Sequence, residues 1–270
     1  MLYEKTGLEG EGSEVCLSCY IADKIGDFKR SAILVIPGGA YHGISTDREG
    51  DAIAMAFMPY GFNAFVLEYS VTSNSDKPFP AQLIQASKAV KHIKDNAEKY
   101  GIDPEKVFAV GFSAGGHLCG SLGTMWNKKE IYERVDMPYG YNKPAGVMLI
   151  YPVISTKYYD SGTFQNLLKK TEITDADDCL SSIDKNVTEE SSPMFIMHTS
   201  NDQAVDVRHS VALAAALSEK RIKFELHIYP DSPHGVALGN EITACGNEKW
   251  INTSIAKWVE NAVEWSKSCS

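Results

Sequence analysis

From residue 31 to the C-terminus, short apolar runs alternate with stretches of helical period, and that alternation leaves the chain few architectures. The run SAILVIPGG at 31–39 reads as a buried strand closed by a Pro-Gly-Gly break. Residues 47–59 read as a helix, and FNAFVLEYS at 62–70 as the next strand. Between 81 and 100, Leu83, Ala86, Val90, Ile93, Ala97 and Tyr100 recur every three or four residues, one helical face that Gly101 stops. VFAVGFSAGGHL at 107–118 passes from strand through a tight turn into helix. AGVMLIYPV, MFIMHTS and FELHIYP add three strands. Helices at 206–220 and 248–266 follow the last two, the final one carrying Trp250, Ile251, Ile255, Trp258 and Val259. The expected fold class is α/β: a mostly parallel sheet, helices on both faces, three layers in all. In such a sheet functional groups gather at the carboxyl ends of the strands.

No linker, repeat or low-complexity tract interrupts the pattern, so residues 1–270 read as one domain. Two stretches, 124–144 and 155–190, fit no strand-helix rhythm and are expected to form a lid or substrate rim. The net charge of −9 argues against nucleic acid as a partner and disfavours polyanionic substrates. No apolar stretch approaches the roughly 20 residues that span a membrane, and the N-terminal MLYEKTGLEGEGSEV has no signal-peptide pattern, so the expected location is the cytoplasm. A homo-oligomer is compatible with the sequence. The six cysteines are scattered, which fits reduced thiols. Cys16 and Cys19 form a CxxC, but within a β-type segment, VCLSCYI, without a second ligand pair; inert thiols and no metal or cofactor are expected.

Gly111-Phe112-Ser113-Ala114-Gly115 is a GxSxG sequence between a strand and a helix, the context in which that motif forms a nucleophile elbow. The sharp turn exposes the Ser113 hydroxyl above the sheet and aims the Ala114 amide, at a helix N-terminus, towards a developing oxyanion. A serine hydroxyl is a weak nucleophile at neutral pH, so it needs a base, and the base an orienting carboxylate. Of seven histidines, His42 and His92 precede the serine, and His117 shares its helix. His209 and His227 sit inside regular elements, and His198 comes before the best acid. His234 alone lies in a loop after the last strand, in Tyr-Pro-Asp-Ser-Pro-His-Gly. Asp202 and Asp206 follow the preceding strand; Asp206 suits the cap of the next helix, which leaves Asp202 as the acid. The loop Pro37-Gly38-Gly39-Ala40-Tyr41 should supply the other oxyanion donors, the amides of Gly39 and Ala40, with Tyr41 touching substrate.

Taken together, IPGGAYHGIS, GIDPEKVFAVGFSAGGHL, LIYPVIS, HTSNDQAVDV and ELHIYPDSPHG resemble the acetyl esterase group of α/β-hydrolases. That group includes relatives acting on acetylated or feruloylated xylan. The resemblance runs from about residue 31 to the C-terminus and implies the α/β-hydrolase fold, with Ser113, Asp202 and His234 as the triad. Many relatives have HGGG where this chain has Pro37-Gly38-Gly39-Ala40, and others have proline where Asp206 stands. The expected function is hydrolysis of short-chain acetyl esters, with a small-molecule ester as partner, an acetylated oligosaccharide being the natural example. Tyr132, Tyr139, Tyr141, Tyr158 and Tyr159 in the two unassigned stretches suit sugar rings. An amide-cleaving enzyme of the same fold, peptidase or arylformamidase, and a catalytically silent binding protein remain the alternatives.

Overall fold

A computed structural model describes residues 1–12 and 14–269. The strands are β1 Leu2–Gly7, β2 Cys16–Ile21, β3 Arg30–Ile36, β4 Phe62–Glu68, β5 Ile102–Phe112, β6 Val147–Ile150, β7 Met194–Thr199 and β8 Phe224–Tyr229. They form one eight-stranded sheet in the order β1-β2-β4-β3-β5-β6-β7-β8. β1 and β2 pair antiparallel, and all pairs from β4 to β8 are parallel. β1, at the edge and largely exposed, lacks the buried apolar run that marks β2 to β7, which is why the sequence pattern passes over it.

Side-chain alternation divides the core into two. On β5, Val107 and Ala109 face one cluster, with the helices Ala81–Asp95, Ala114–Met125 and Arg208–Glu219; Phe108, Val110 and Phe112 face the other, with Asp51–Phe57 and Trp258–Lys267. The three layers are those expected, but several helix limits differ. Gly50 (φ −107°, ψ −98°) breaks 47–59 into Thr46–Glu49 and Asp51–Phe57. Non-helical Asn96 separates Ala81–Asp95 from Ala97–Tyr100, and Gly101 ends the latter at φ +63°. The C-terminal helix begins only at Trp258, after two short 3₁₀ turns, because Ile251 is extended (φ −95°, ψ 117°) and breaks the helical course between them. Trp258 is fully buried and its indole N–H donates to the Ala237 carbonyl at 2.9 Å, tying this helix to the loop after β8.

Only one of the two irregular stretches reaches the carboxyl ends of the strands. Helix Ala114–Met125 starts at the carboxyl end of β5 and runs back, so 124–144 sits at the amino ends of the strands and cannot cover a site at the carboxyl ends. There Lys129–Val135 packs on Ala81–Asp95, Tyr139 stacks on Trp126 and Tyr132, and the Tyr141 hydroxyl donates to Asp95. The stretch 155–190, with helices Thr163–Leu168 and Asp175–Ser181, begins at the carboxyl end, where Asn166 donates to the Ala40 carbonyl at 2.9 Å, and runs back to 124–144, where Glu190 accepts from Trp126, Asn127 and Tyr139.

Cys16 and Cys19, three apart on β2, point to opposite faces; burial pushes both thiols up, Cys19 to about 12. Among the described residues no helix is long and apolar enough to cross a membrane, and no group of three or more His, Cys, Asp or Glu is placed to hold a metal.

Two buried histidines are locked in the neutral form. His117 donates from Nε2 to the Ser181 carbonyl and accepts the Tyr41 hydroxyl at Nδ1. His209 accepts the Ile154 and Ser155 amides at Nδ1 and donates from Nε2 to the Tyr159 carbonyl. Burial, first of all, lowers each to about 4. In the unfolded chain both protonate near 6.5, so between about 6.5 and 4 the unfolded state binds more protons. The stability they contribute is complete above that window and is lost as pH falls through it. Urea unfolding should therefore lose roughly 1–2 kcal/mol per histidine between pH 7 and pH 5. His117→Gln should flatten that slope; an unchanged slope would contradict the assignment.

Candidate active site

Each site residue stands just past the carboxyl end of a strand. Ser113 follows β5, Gly39 and Ala40 follow β3, Asp202 follows β7, and His234 follows β8. Ser113 takes φ +53°, ψ −117°, a strained conformation for a residue with a side chain. The flanking glycines make that turn possible. A Cβ on Gly111 would lie 2.2 Å from the Gly115 carbonyl oxygen, and one on Gly115 would lie 2.1 Å from the Ile36 carbonyl oxygen. No side chain fits in either contact, so the helix start packs directly on β3.

The structure brings the three sequence-selected side chains together. The Ser113 hydroxyl donates to His234 Nε2 at 2.9 Å, and His234 Nδ1 donates to Asp202 Oδ2 at 2.6 Å. Asp202 Oδ1 accepts the Ala204 and Val205 amides, both at 2.9 Å. Burial alone would push the Asp202 carboxyl up, but hydrogen bonds from His198 and His234 and the Val205 amide hold it well below the usual carboxylate range. Asp206 plays the other part foreseen for it, accepting the Arg208 amide at the start of the next helix. The remaining histidines are engaged elsewhere: His42 with Thr72, His92 with Tyr100, and His227 with Glu225.

The amides of Gly39, Ala40 and Ala114 have no hydrogen-bond acceptor among the described residues. Gly39 (φ +127°), Ala40 (φ +53°) and Tyr41 (φ +55°) are all left-handed, which turns the loop sharply over Ser113. A Cβ on Gly39 would lie 2.2 Å from the Gly43 carbonyl oxygen. Tyr41 is corrected: its side chain is only 1% exposed, and its hydroxyl is paired with His117 at 2.9 Å, so it packs beneath the loop and cannot reach a substrate.

Ser113 and His234 open into a cavity of about 260 Å³, bordered also by Gly39, Ser161, Thr163 and Val205. The stretch 155–190 thus contributes to the rim, through Ser161 and Thr163. None of the five tyrosines expected to meet a sugar lines this cavity. Tyr132, Tyr139 and Tyr141 stand at the far end of the sheet, and Tyr158 is packed between His209 and the Arg208 guanidinium. Tyr159 is exposed, and its carbonyl serves the Asp206 amide. Two larger hollows of about 450 Å³ lie beside Lys88 and Arg134 and touch no residue of the relay.

Sequence reasoning missed Arg48, Glu49 and Tyr151, all packed around the site. Arg48 lines the cavity, lies over the Trp250 ring at 3.5 Å, and donates to the carbonyls of Gly235 and Thr243. The sequence carried no signal for them, since Arg48 and Glu49 stand in the run Asp47-Arg48-Glu49-Gly50-Asp51, which reads as a solvated helix start.

An elbow serine, a histidine loop after the last strand and a mostly parallel sheet of this order define an α/β-hydrolase. Residues 18–217 match the BD-FAE family model, and the chain belongs to that family. It is 38% identical over 218 residues to endo-1,4-beta-xylanase B of Butyrivibrio fibrisolvens, a match covering 80% of this chain and 34% of the relative. With the acetylxylan esterase of Xylanibacter ruminicola it shares 27% identity over 213 residues, 77% of this chain and 41% of the relative. The chain therefore spans about a third to two fifths of the length of these curated relatives. The solved structure of MGS-M1, an alpha/beta hydrolase enzyme from a Medee basin deep-sea metagenome library, superposes with a TM-score of 0.80 at 30% identity. That match covers 100% of this chain and 98% of the other.

The packing of the amide loop makes a direct prediction. Gly39→Ala must displace the Gly43 carbonyl and shift the Gly39 and Ala40 amides. Ester turnover, measured well below the melting temperature of the variant, should fall by about 10²–10³, as for loss of one oxyanion donor. Full activity in Gly39→Ala would show that the loop is not part of the site.

Proposed function

We propose that the chain is a serine-dependent carboxylic ester hydrolase acting on short acyl groups, acetyl foremost, carried by carbohydrates. The observation that carries this reading is the hydrogen-bonded relay from Ser113 through His234 to Asp202, opening into a small cavity beside unpaired backbone amides. His234 takes the Ser113 proton as Oγ attacks the ester carbonyl, and Asp202 stabilises the imidazolium that forms. The Gly39, Ala40 and Ala114 amides hold the oxyanion. His234 then passes the proton to the departing alcohol, and later activates the water that releases the acid from the acyl-enzyme.

The cavity supports a short acyl group. Its walls carry short side chains such as Ser45, Ser161, Thr163 and Ala204, with no aromatic or long aliphatic groove for a fatty chain. Polar groups on the rim suit a hydroxyl-rich alcohol. The kinship with proteins named acetylxylan esterase and xylanase supports xylan-derived acetates as the substrate class.

Ser113→Ala should lower kcat by about 10⁴–10⁶, His234→Ala comparably and Asp202→Asn somewhat less, because the three act as a unit. Activity above a tenth of wild type in Ser113→Ala would end the mechanism. Substrate choice is tested separately. Each CH₂ that a groove buries is worth about 0.8 kcal/mol, so an acyl groove would make longer esters steadily better. Here p-nitrophenyl acetate should exceed the octanoate by at least about tenfold in kcat/KM, since the added methylenes must be ordered against a polar rim without such a gain. Acetylated xylo-oligosaccharides should release acetate. An octanoate ester that matched acetate would contradict the short-acyl assignment while leaving the triad untouched.

A further inference from the structure

Glu49 occupies an unusual position for a carboxylate: it is 5% exposed, between the loop after β3 and the loop after β8. Its Oε2 accepts the Gly38 amide at 2.8 Å, immediately before the unpaired Gly39 and Ala40 amides. Its Oε1 accepts the Tyr151 hydroxyl, also at 2.8 Å. The same Tyr151 oxygen accepts the Ala237 amide at 3.0 Å, three residues beyond His234, and the Tyr151 ring stands edge-on to the His234 ring with centroids 5.0 Å apart. Arg48, the preceding residue, grips the Gly235 carbonyl. Two consecutive residues of one short helix therefore hold both sides of Val236.

We propose that Glu49 is a positioning residue that locks the oxyanion loop and the histidine loop into one unit, acting through Gly38 on one side and Tyr151 on the other. The proposal rests on the serine-esterase reading of the site. Its physical basis is the cost of the group. A buried carboxylate is expensive unless its lone pairs are fully used. Burial raises the Glu49 carboxyl above its usual range, while the bonds from Tyr151 and Gly38 and the proximity of His234 and Arg48 pull it back down. An apolar residue would fill the space more cheaply, but would leave the Gly38 amide and the Tyr151 hydroxyl proton without acceptors. One donor adjoins the oxyanion amides and the other holds the histidine loop at Ala237, and such groups must keep their productive geometry to within about 0.5 Å.

Glu49→Gln keeps the volume and changes the hydrogen bonding. The amide oxygen still accepts from Gly38, but the NH₂ group faces a Tyr151 oxygen that already receives the Ala237 amide, and the tyrosine proton loses its partner. Steady-state hydrolysis of p-nitrophenyl acetate, well below the melting temperature of each variant, should show kcat reduced about 10–100-fold with KM within about threefold, as expected when transition-state alignment is lost and ground-state binding is not. Tyr151→Phe, which keeps the ring against His234, should show the same split. The double variant should lose no more than the worse single one, because both remove the same link. Should Glu49→Gln fail to fold, Tyr151→Phe decides by the same split. Both variants within twofold of wild-type kcat, or losses that multiply in the double variant, would overturn the positioning role. Ser113→Ala separates the two levels: activity surviving there removes the esterase reading, whereas an inactive Ser113→Ala beside an unimpaired Glu49→Gln removes only the role of Glu49.

Discussion

Much of this molecule depends on one backbone contact, the crossing of the Ala114–Met125 helix start over the end of β3. A Cβ on Gly115 would lie 2.1 Å from the Ile36 carbonyl oxygen and 2.3 Å from that of Pro37. Glycine alone lets the helix settle there, and once it does, the amide loop that leaves β3 runs beside the serine that leaves β5. The strain at Ser113 is borne by its surroundings. Its amide donates to the Ile150 carbonyl, and its own carbonyl accepts from Val153 and His117, so it is tied to the β6 edge as well as to its own helix. A strained residue persists only where neighbours determine its conformation this completely.

The charge arrangement follows the same economy. Asp202 lies between two imidazoles: His234 Nδ1 at 2.6 Å, and fully buried His198, whose Nε2 is 3.5 Å from the same carboxylate oxygen. Backbone amides occupy the other oxygen. A carboxylate so surrounded stays ionised where burial alone would favour its neutral form, and it keeps the His234 ring oriented towards Ser113. The amides after β3 and at the helix start, which have no acceptor among the described residues, stand where the proposed mechanism would develop negative charge. Glu49 touches both halves, directly at the Gly38 amide and through the Tyr151 hydroxyl at the Ala237 amide.

The sequence pattern was a good guide to what repeats and a poor one to what crosses. Strand-helix alternation locates β3 to β8, of which β3 to β7 bury apolar runs and the half-exposed β8 follows from its place in the rhythm, and a GxSxG between strand and helix marks Ser113. Asp202 and His234 were legible from the loops after β7 and β8, where side chains have no packing duty. Tyr41 was misread because a tyrosine after a glycine loop has no periodicity to say which way it faces; here it turns inward to His117. The placement of 124–144 was misread because direction along a helix is a property of the fold, not of composition. Glu49 and Tyr151 were invisible for a related reason: their partners lie far away in sequence, and a buried carboxylate in a helical segment looks like an ordinary surface residue until the sheet brings Gly38 and Ala237 to it.

The claim on which the rest stands is that Ser113 alone is activated as a nucleophile. Incubating the folded protein with a fluorophosphonate, digesting it and mapping the adduct by mass spectrometry tests that directly, since the reagent bonds covalently only to a serine whose proton has a base and whose developing oxyanion has donors. The account predicts one adduct per chain, on the peptide holding Ser113, formed in step with loss of ester hydrolysis. Hydrolysis that continues after complete labelling, or an adduct on a different residue, would contradict it.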